Sequence, residues 1–234
     1  MLDTAVIIAC DFPDRETTLR FLNKFDPLKP FIKIGMELFY GAGPGFVQEL
    51  KQLGYAIFLD LKLQDIPNTI NRTVKILAKL NVDMLTIHAV GGMQMMSAAR
   101  QALDAEGSAA ILVGVTLLTS ISGSALKQEL LITEEVSSVV CHYATQAKKC
   151  GLQGIVCSPM EASLVKSVCG GDFLCVTPGI RYQSSVGSDQ ARVNTPAAAK
   201  EAGSDFIVVG RAITGAPDPA AEYRGICVEF QKGE

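Results

Sequence analysis

Two aspartates and a lysine interrupt an otherwise apolar run. AIFLDLK (56–62) carries Asp60 and Lys62, and Gln64-Asp65-Ile66-Pro67 follows at once. Lys33 sits in the middle of FIKIG (31–35), and Asp11 follows directly on TAVIIAC (4–10). Charges are rare inside buried segments because leaving water costs free energy unless they are paired. An ammonium flanked by carboxylates stays ionised, since opposite charges favour the charged form. Such a group suits electrostatic and proton-transfer chemistry. With the two-residue alternation of a strand, Asp60 and Lys62 share one face, and Leu59, Leu61 and Leu63 share the other. The plainer alternative is a buried ion pair between Asp60 and Lys62 that only neutralises itself. Such a pair is weak evidence for stability, because desolvation offsets the Coulomb gain. Asp65, just before Ile-Pro, also fits a helix N-cap.

A second group lies in the last third of the chain. Thr177-Pro178-Gly179-Ile180-Arg181 opens a polar, Gly/Ser-rich stretch that runs to Thr195, and FIVVG (206–210) leads into Gly210-Arg211. A loop of roughly 18 residues without an element of its own predicts a lid. Backbone N–H groups at a helix start, with an arginine beside them, predict a phosphate site.

The elements that must bring these groups together are short, nearly continuous apolar runs at 4–10, 31–35, 56–62, 84–89, 109–117, 154–158, 173–177 and 206–210. Runs of that kind read as strands buried on both faces. Amphipathic segments alternate with them at 14–24, 43–53, 67–80, 91–105, 133–150, 159–168, 195–202 and 217–231. Pro44, Pro67 and Pro159 suit first turns, and Gly54, Gly151 and Gly203 stand just past helix ends. The eight strands alternating with eight helices predict an α/β fold, a (β/α)8 TIM barrel forming one domain over residues 1–234. A doubly wound open sheet fits less well. The first strand ends Ala9-Cys10-Asp11-Phe12-Pro13, without the G-x-G-x-x-G of a dinucleotide site. In a barrel, the charges of strands one to three and the loops after strands seven and eight meet at one rim, where this fold keeps its chemistry and its phosphate sites.

Composition removes several classes. With 48% hydrophobic and 19% charged residues the chain is not disordered. Its 21 basic and 24 acidic residues give a net charge of −3 and a pI near 5.5, which argues against a nucleic-acid partner. No window reaches the roughly 20 apolar residues of a bilayer span. MLDTAVIIACDFPD lacks the basic start of a signal peptide, so no membrane partner is expected. Seven cysteines, odd in number and without a C-x-x-C pair, predict buried thiols in a reducing compartment and hence a cytoplasmic protein.

The residues Asp60-Leu61-Lys62-Leu63-Gln64-Asp65-Ile66-Pro67-Asn68-Thr69 spell D-x-K-x-x-D-I-P-x-T, which resembles the signature of the orotidine 5′-phosphate decarboxylases. The resemblance extends to Asp11 in A-C-D, Lys33 in F-I-K-I-G, Leu118-Thr119-Ser120 and T-P-G-I-R with Arg181. It continues through Ser188-Asp189-Gln190 to Val209-Gly210-Arg211-Ala212-Ile213-Thr214, spanning nearly the whole chain in the family's order. Gln64 departs from the family's histidine or aromatic residue, and Ala212 from its usual proline. The resemblance implies decarboxylation of orotidine 5′-phosphate to UMP in pyrimidine biosynthesis, with no metal and no organic cofactor. It also implies a homodimer whose Asp65 and Thr69 reach into the neighbouring site. It assigns catalysis to Lys62, Asp60, Asp65 and Lys33, with Lys62 as proton donor to C6 of the pyrimidine. Lys33 and Asp11 would hold ribose hydroxyls, Thr119 or Ser120 would lie by the base, and Arg181, Gln190, Gly210 and Arg211 would bind phosphate.

Two rival functions remain open on sequence. One is a Mg²⁺-dependent keto-sugar phosphate decarboxylase or synthase of the same superfamily, which carries an acidic residue where Lys33 stands here. The other is a barrel that binds a phosphorylated ligand without turnover. His88, at the end of the fourth strand, either lines the site or packs structurally. Met93, Met95 and Met96 read as packing or dimer-surface residues, and His142 beside Cys141 is not a metal site by itself.

Overall fold

The computed structural model describes residues 5–180 and 195–232. Its parallel strands are β1 (Val6–Ala9), β2 (Phe31–Gly35), β3 (Ile57–Leu63), β4 (Met84–His88), β5 (Ile111–Val115), β6 (Gly154–Val156), β7 (Leu174–Pro178) and β8 (Phe206–Val209). Each pairs with the next in sequence, and β1 also pairs with β8, so the sheet closes into a barrel. Ile7 lies opposite Phe31 on one side and Val208 on the other. The predicted (β/α)8 barrel is the observed architecture.

Period-two alternation divides the strand residues between two cores. Ile7, Phe31, Phe58, Met84, Val113, Val176 and Val208 point inward and fill the lower barrel. Their neighbours Ile8, Ile32, Leu59, Leu85, Leu112, Cys175 and Val209 point outward, under the helices. Because both faces are covered, the strands carry the nearly unbroken apolar runs seen in the sequence.

The covering helices are α1 (Arg15–Leu22), α2 (Met36–Gln52), α3 (Pro67–Ala78), α4 (Gly92–Ala105), α5 (Gly123–Gln128), α6 (Val136–Lys149), α7 (Pro159–Cys169), α8 (Pro196–Glu201), α9 (Arg211–Thr214) and α10 (Pro219–Lys232). Pro67 and Pro159 open α3 and α7, and Ser158 with Glu161 forms a capping box at α7. Helix α2 begins at Met36, earlier than the 43–53 read from sequence. Gly43, at φ 77° and ψ 171°, breaks it into two pieces, and Pro44 starts the second. The Gly-Ala-Gly-Pro-Gly stretch concealed the first piece, which buried Leu38 anchors. Helices α5 and α9 were also missed, being only six and four residues long.

At the floor of the barrel one device recurs before every second strand from β4 onward. The Asp83 carboxylate accepts from the Ile57 N–H at 2.7 Å and from Lys51 Nζ at 2.6 Å. Gln153 Oε1 accepts from the Leu112 N–H at 2.9 Å and from Arg100 at 3.3 Å. Asp205 accepts from the Cys175 N–H and from Lys166 Nζ, both at 2.7 Å. Each acceptor ties the start of the preceding strand to a cation on a covering helix, so the end of the barrel away from the charged strand ends is rigidly closed.

Candidate active site

Phe58 lies in the inner core, so Asp60 and Lys62, two and four residues on, follow it inward toward the C-terminal mouth. Leu59 and Leu61 pack in the outer core, as the alternation predicts. Lys62 Nζ donates to Asp60 Oδ2 at 2.8 Å. Lys33 Nζ lies 3.7 Å from that same oxygen and donates to Asp11 Oδ1 at 2.9 Å. The result is a chain of alternating charge, Asp11–Lys33–Asp60–Lys62, across the ends of three adjacent strands. Its ends are wetter than its middle. The side chains of Lys33 and Asp60 are 11% and 10% exposed, against 27% for Lys62 and 58% for Asp11. The middle pair is therefore fixed, while Asp11 and Lys62 have faces free for a ligand. Gly35 makes room for the arrangement: a Cβ there would stand 3.2 Å from Asp11 Oδ1 and 3.3 Å from Lys33 Nζ.

The backbone at Lys62 is unusual. Its φ is 50°, in the left-handed region that a residue with a Cβ rarely adopts. Leu59 pairs with Leu85 and Leu63 with Ile87, so β3 spends four steps where β4 spends two. This bulge takes the Lys62 N–H off the regular ladder, and the hydroxyl of Thr86 accepts it at 2.8 Å. The same hydroxyl donates to Asp60 Oδ1 at 3.0 Å. Thr86 is fully buried and went unnoticed in the sequence. Its one signal there was alternation, which puts it on the same face of MLTIH as His88. His88 ends β4 and is half-buried. Burial lowers its pKa below the ordinary 6.5, the Lys62 charge lowers it further, and Asp60 opposes both. The imidazole is therefore neutral at neutral pH. Burial pushes the Cys10 thiol up to about 12, so the cysteine beside Asp11 is no thiolate nucleophile.

Asp65 and Thr69 stand apart from this cluster, exposed on the rim. Asp65 Oδ1 accepts the N–H of Ile66, and Ile66 rather than Asp65 occupies the cap position of α3. As the residue before Pro67, Ile66 stays extended at φ −58° and ψ 150°, so it cannot be the first helical residue that an N-cap at Asp65 requires. Within one chain Asp60 is the partner of Lys62, and the expected flanking by Asp65 as well is not formed among the described residues.

Across the mouth, a cavity of about 1080 Å³ is lined by Thr119, Ser158, Pro178, Gly179, Gly210 and Arg211, among others. Gly210 immediately precedes α9 and Arg211 is its first residue. The loops after β7 and β8 thus meet where the sequence placed a phosphate. Thr119 reaches the cavity, while Ser120, exposed on the same loop, is not part of its lining. Arg181, Gln190 and the lid expected between Thr177 and Thr195 fall on 181–194, outside the described residues.

Residues 4–226 match the model of the orotidine 5′-phosphate decarboxylase / HUMPS family. The chain belongs to that family. Among the relatives of this family member is the orotidine 5′-phosphate decarboxylase of Streptococcus uberis, 49% identical over 231 residues that cover 98% of this chain and 99% of that protein. The enzyme of that name from Streptococcus suis is 47% identical over the full length of both chains. Among solved structures, orotidine 5′-phosphate decarboxylase from Lactobacillus acidophilus superposes with a TM-score of 0.88 at 45% identity, covering 97% of this chain and 99% of that one. The family expected from the D-x-K-x-x-D-I-P-x-T run is the family found.

Proposed function

We propose that this family member decarboxylates orotidine 5′-phosphate to UMP, a step of pyrimidine biosynthesis, using Lys62 as cation and proton donor. The observation that carries the reading is the Asp11–Lys33–Asp60–Lys62 array at one side of the barrel mouth, with a cavity ending at Gly210–Arg211 on the other. In the reaction the bond between C6 and its carboxylate breaks, CO2 leaves, and the electron pair stays on C6. That carbanion has little resonance relief, so a fixed ammonium beside it stabilises the charge as it develops. Lys62 then gives a proton to C6 and recovers one from water. Asp60 holds Lys62 in place and sets a negative charge near the departing carboxylate. Asp11 and Lys33 bind ribose hydroxyls, and Thr119 or Ser120 lies beside the base. Gly210 and Arg211, together with Arg181 and Gln190, hold the phosphate, whose binding energy is spent on orienting the reacting carbon.

Lys33 argues against the Mg²⁺-dependent alternative. Its ammonium stands between Asp11 and Asp60, at 2.9 Å and 3.7 Å, where a divalent cation would need those carboxylates for itself. The test is a decarboxylation assay following loss of substrate absorbance in excess EDTA. Full turnover with chelator is the expected result, and activity that disappears with it defeats the metal-free reading.

Asp65, just before α3, and Thr69, in its first turn, are both exposed and complete the site of a second copy in a homodimer. Mixing inactive Lys62→Ala and Asp65→Ala protomers rebuilds one intact site per heterodimer, about a quarter of all sites after random exchange. Assayed after subunit exchange, the mixture is expected to recover activity that neither parent has; no recovery rules out sharing across the interface. The chain acts as a single barrel domain in the cytoplasm. No described helix is long and apolar enough to cross a membrane.

A further inference from the structure

Thr86 contributes a hydroxyl at a point where an apolar β4 side chain would fill the barrel equally well. That hydroxyl makes two bonds, and their polarity is fixed. The Lys62 N–H can only donate, so Oγ1 accepts from it at 2.8 Å; the single hydroxyl proton is left for Asp60 Oδ1 at 3.0 Å. One side chain therefore grips both members of the Asp60–Lys62 pair, one by its carboxylate and the other by its backbone. With Oδ1 held by Thr86, Oδ2 is turned toward both ammonium groups, 2.8 Å from Lys62 and 3.7 Å from Lys33. With the Lys62 N–H held, the left-handed turn at φ 50° keeps a partner for a buried donor that the bulge has taken from the ladder.

We infer that Thr86 is a positioning residue for the decarboxylation, setting the rotamer of Asp60 and the backbone turn that aims Lys62. The inference rests on the reading of Lys62 as proton donor. It predicts that the hydroxyl matters and the methyl does not. Thr86→Val, nearly isosteric, is expected to lower kcat by about 100-fold with KM within about threefold of wild type, because misplacing a reacting group by an ångström has that scale of effect. Thr86→Ser restores both bonds and is expected to keep kcat within about threefold. Should Thr86→Val fail to fold, Thr86→Ala removes the same hydroxyl and carries the same expected loss.

The experiment measures kcat and KM for the folded variants, together with a crystal structure of the hydroxyl-free variant. Loss in Thr86→Val or Thr86→Ala with rescue in Thr86→Ser supports the inference, as does a structure with Asp60 rotated or Lys62 out of the left-handed region. A hydroxyl-free variant with near-normal kcat overturns it, which is what a purely structural threonine would give. A Thr86→Ser variant as slow as Thr86→Val overturns it too. Wild-type protein that fails to turn over orotidine 5′-phosphate overturns the proposed function instead. In that case the variant's structure still decides the positioning role, and unchanged Asp60 and Lys62 geometry rejects it.

Discussion

Lys62→Ala is expected to lower kcat for orotidine 5′-phosphate by at least about 10⁴-fold while the barrel stays folded. Two contributions multiply. Removing a positioned general acid costs roughly 10²–10⁴, and removing one preorganised electrostatic contact costs roughly 10²–10³, so the product lies near 10⁴–10⁷. The fold should survive because the Lys62 side chain is 27% exposed and lies at the mouth, outside both apolar cores. The left-handed backbone at that position is held by Thr86 through the main-chain N–H, which alanine keeps. Circular dichroism and a melting curve check the fold, and single-turnover assays check the rate. If the folded variant retains turnover within tenfold of wild type, another group delivers the proton. His88 would be the first to examine: it ends the neighbouring strand, close enough for the Lys62 charge to hold its pKa down.

The residues that chemistry needs were legible to the extent that they broke a local rule. Asp60, Lys62 and Lys33 stood out because each is a charge inside an apolar strand, and burial of an unpaired charge is too costly to be incidental. The closed barrel was legible because strands covered on both faces carry unbroken apolar runs, and there were eight of them. Thr86 broke no such rule. Threonine is an ordinary strand residue, and its importance comes from a bulge between β3 and β4 that a two-residue period does not reveal. The first piece of α2 was hidden for a related reason. Its Gly-Ala-Gly-Pro-Gly continuation reads as loop, and only the packing of Leu38 shows that the preceding turn is helical. Asp65 is a third kind of case. Its neighbours Ile66 and Pro67 suggest a helix cap, yet the carboxylate stays exposed and, among the described residues, is bonded only to the next residue's N–H. Its assignment to the site came from the family's motif.

Asp60→Asn should separate what Asp60 does by charge from what it does by shape. The amide is close to isosteric with the carboxylate. Its oxygen can take the two lysines, and its NH2 can face the Thr86 hydroxyl, which turns its own proton away. The hydrogen-bonded frame at 2.8 Å to Lys62 and 3.0 Å to Thr86 is thus largely kept, while the negative charge between Lys33 and Lys62 is lost. We expect kcat to fall by about 10³-fold, since an electrostatic contact and the firm placement of the ammonium are both weakened. We expect KM not to rise. Asp60 carries the same sign as the substrate carboxylate, so its charge cannot be contributing attraction to that group in the ground state. A fall in kcat accompanied by a fall in KM is the signature of relieved ground-state repulsion. A fall in kcat with KM constant assigns the effect to the transition state alone. Steady-state kinetics at substrate concentrations spanning KM distinguishes these. A KM that rises while kcat holds would make Asp60 a simple binding residue, and its burial between two ammonium groups would then be structural.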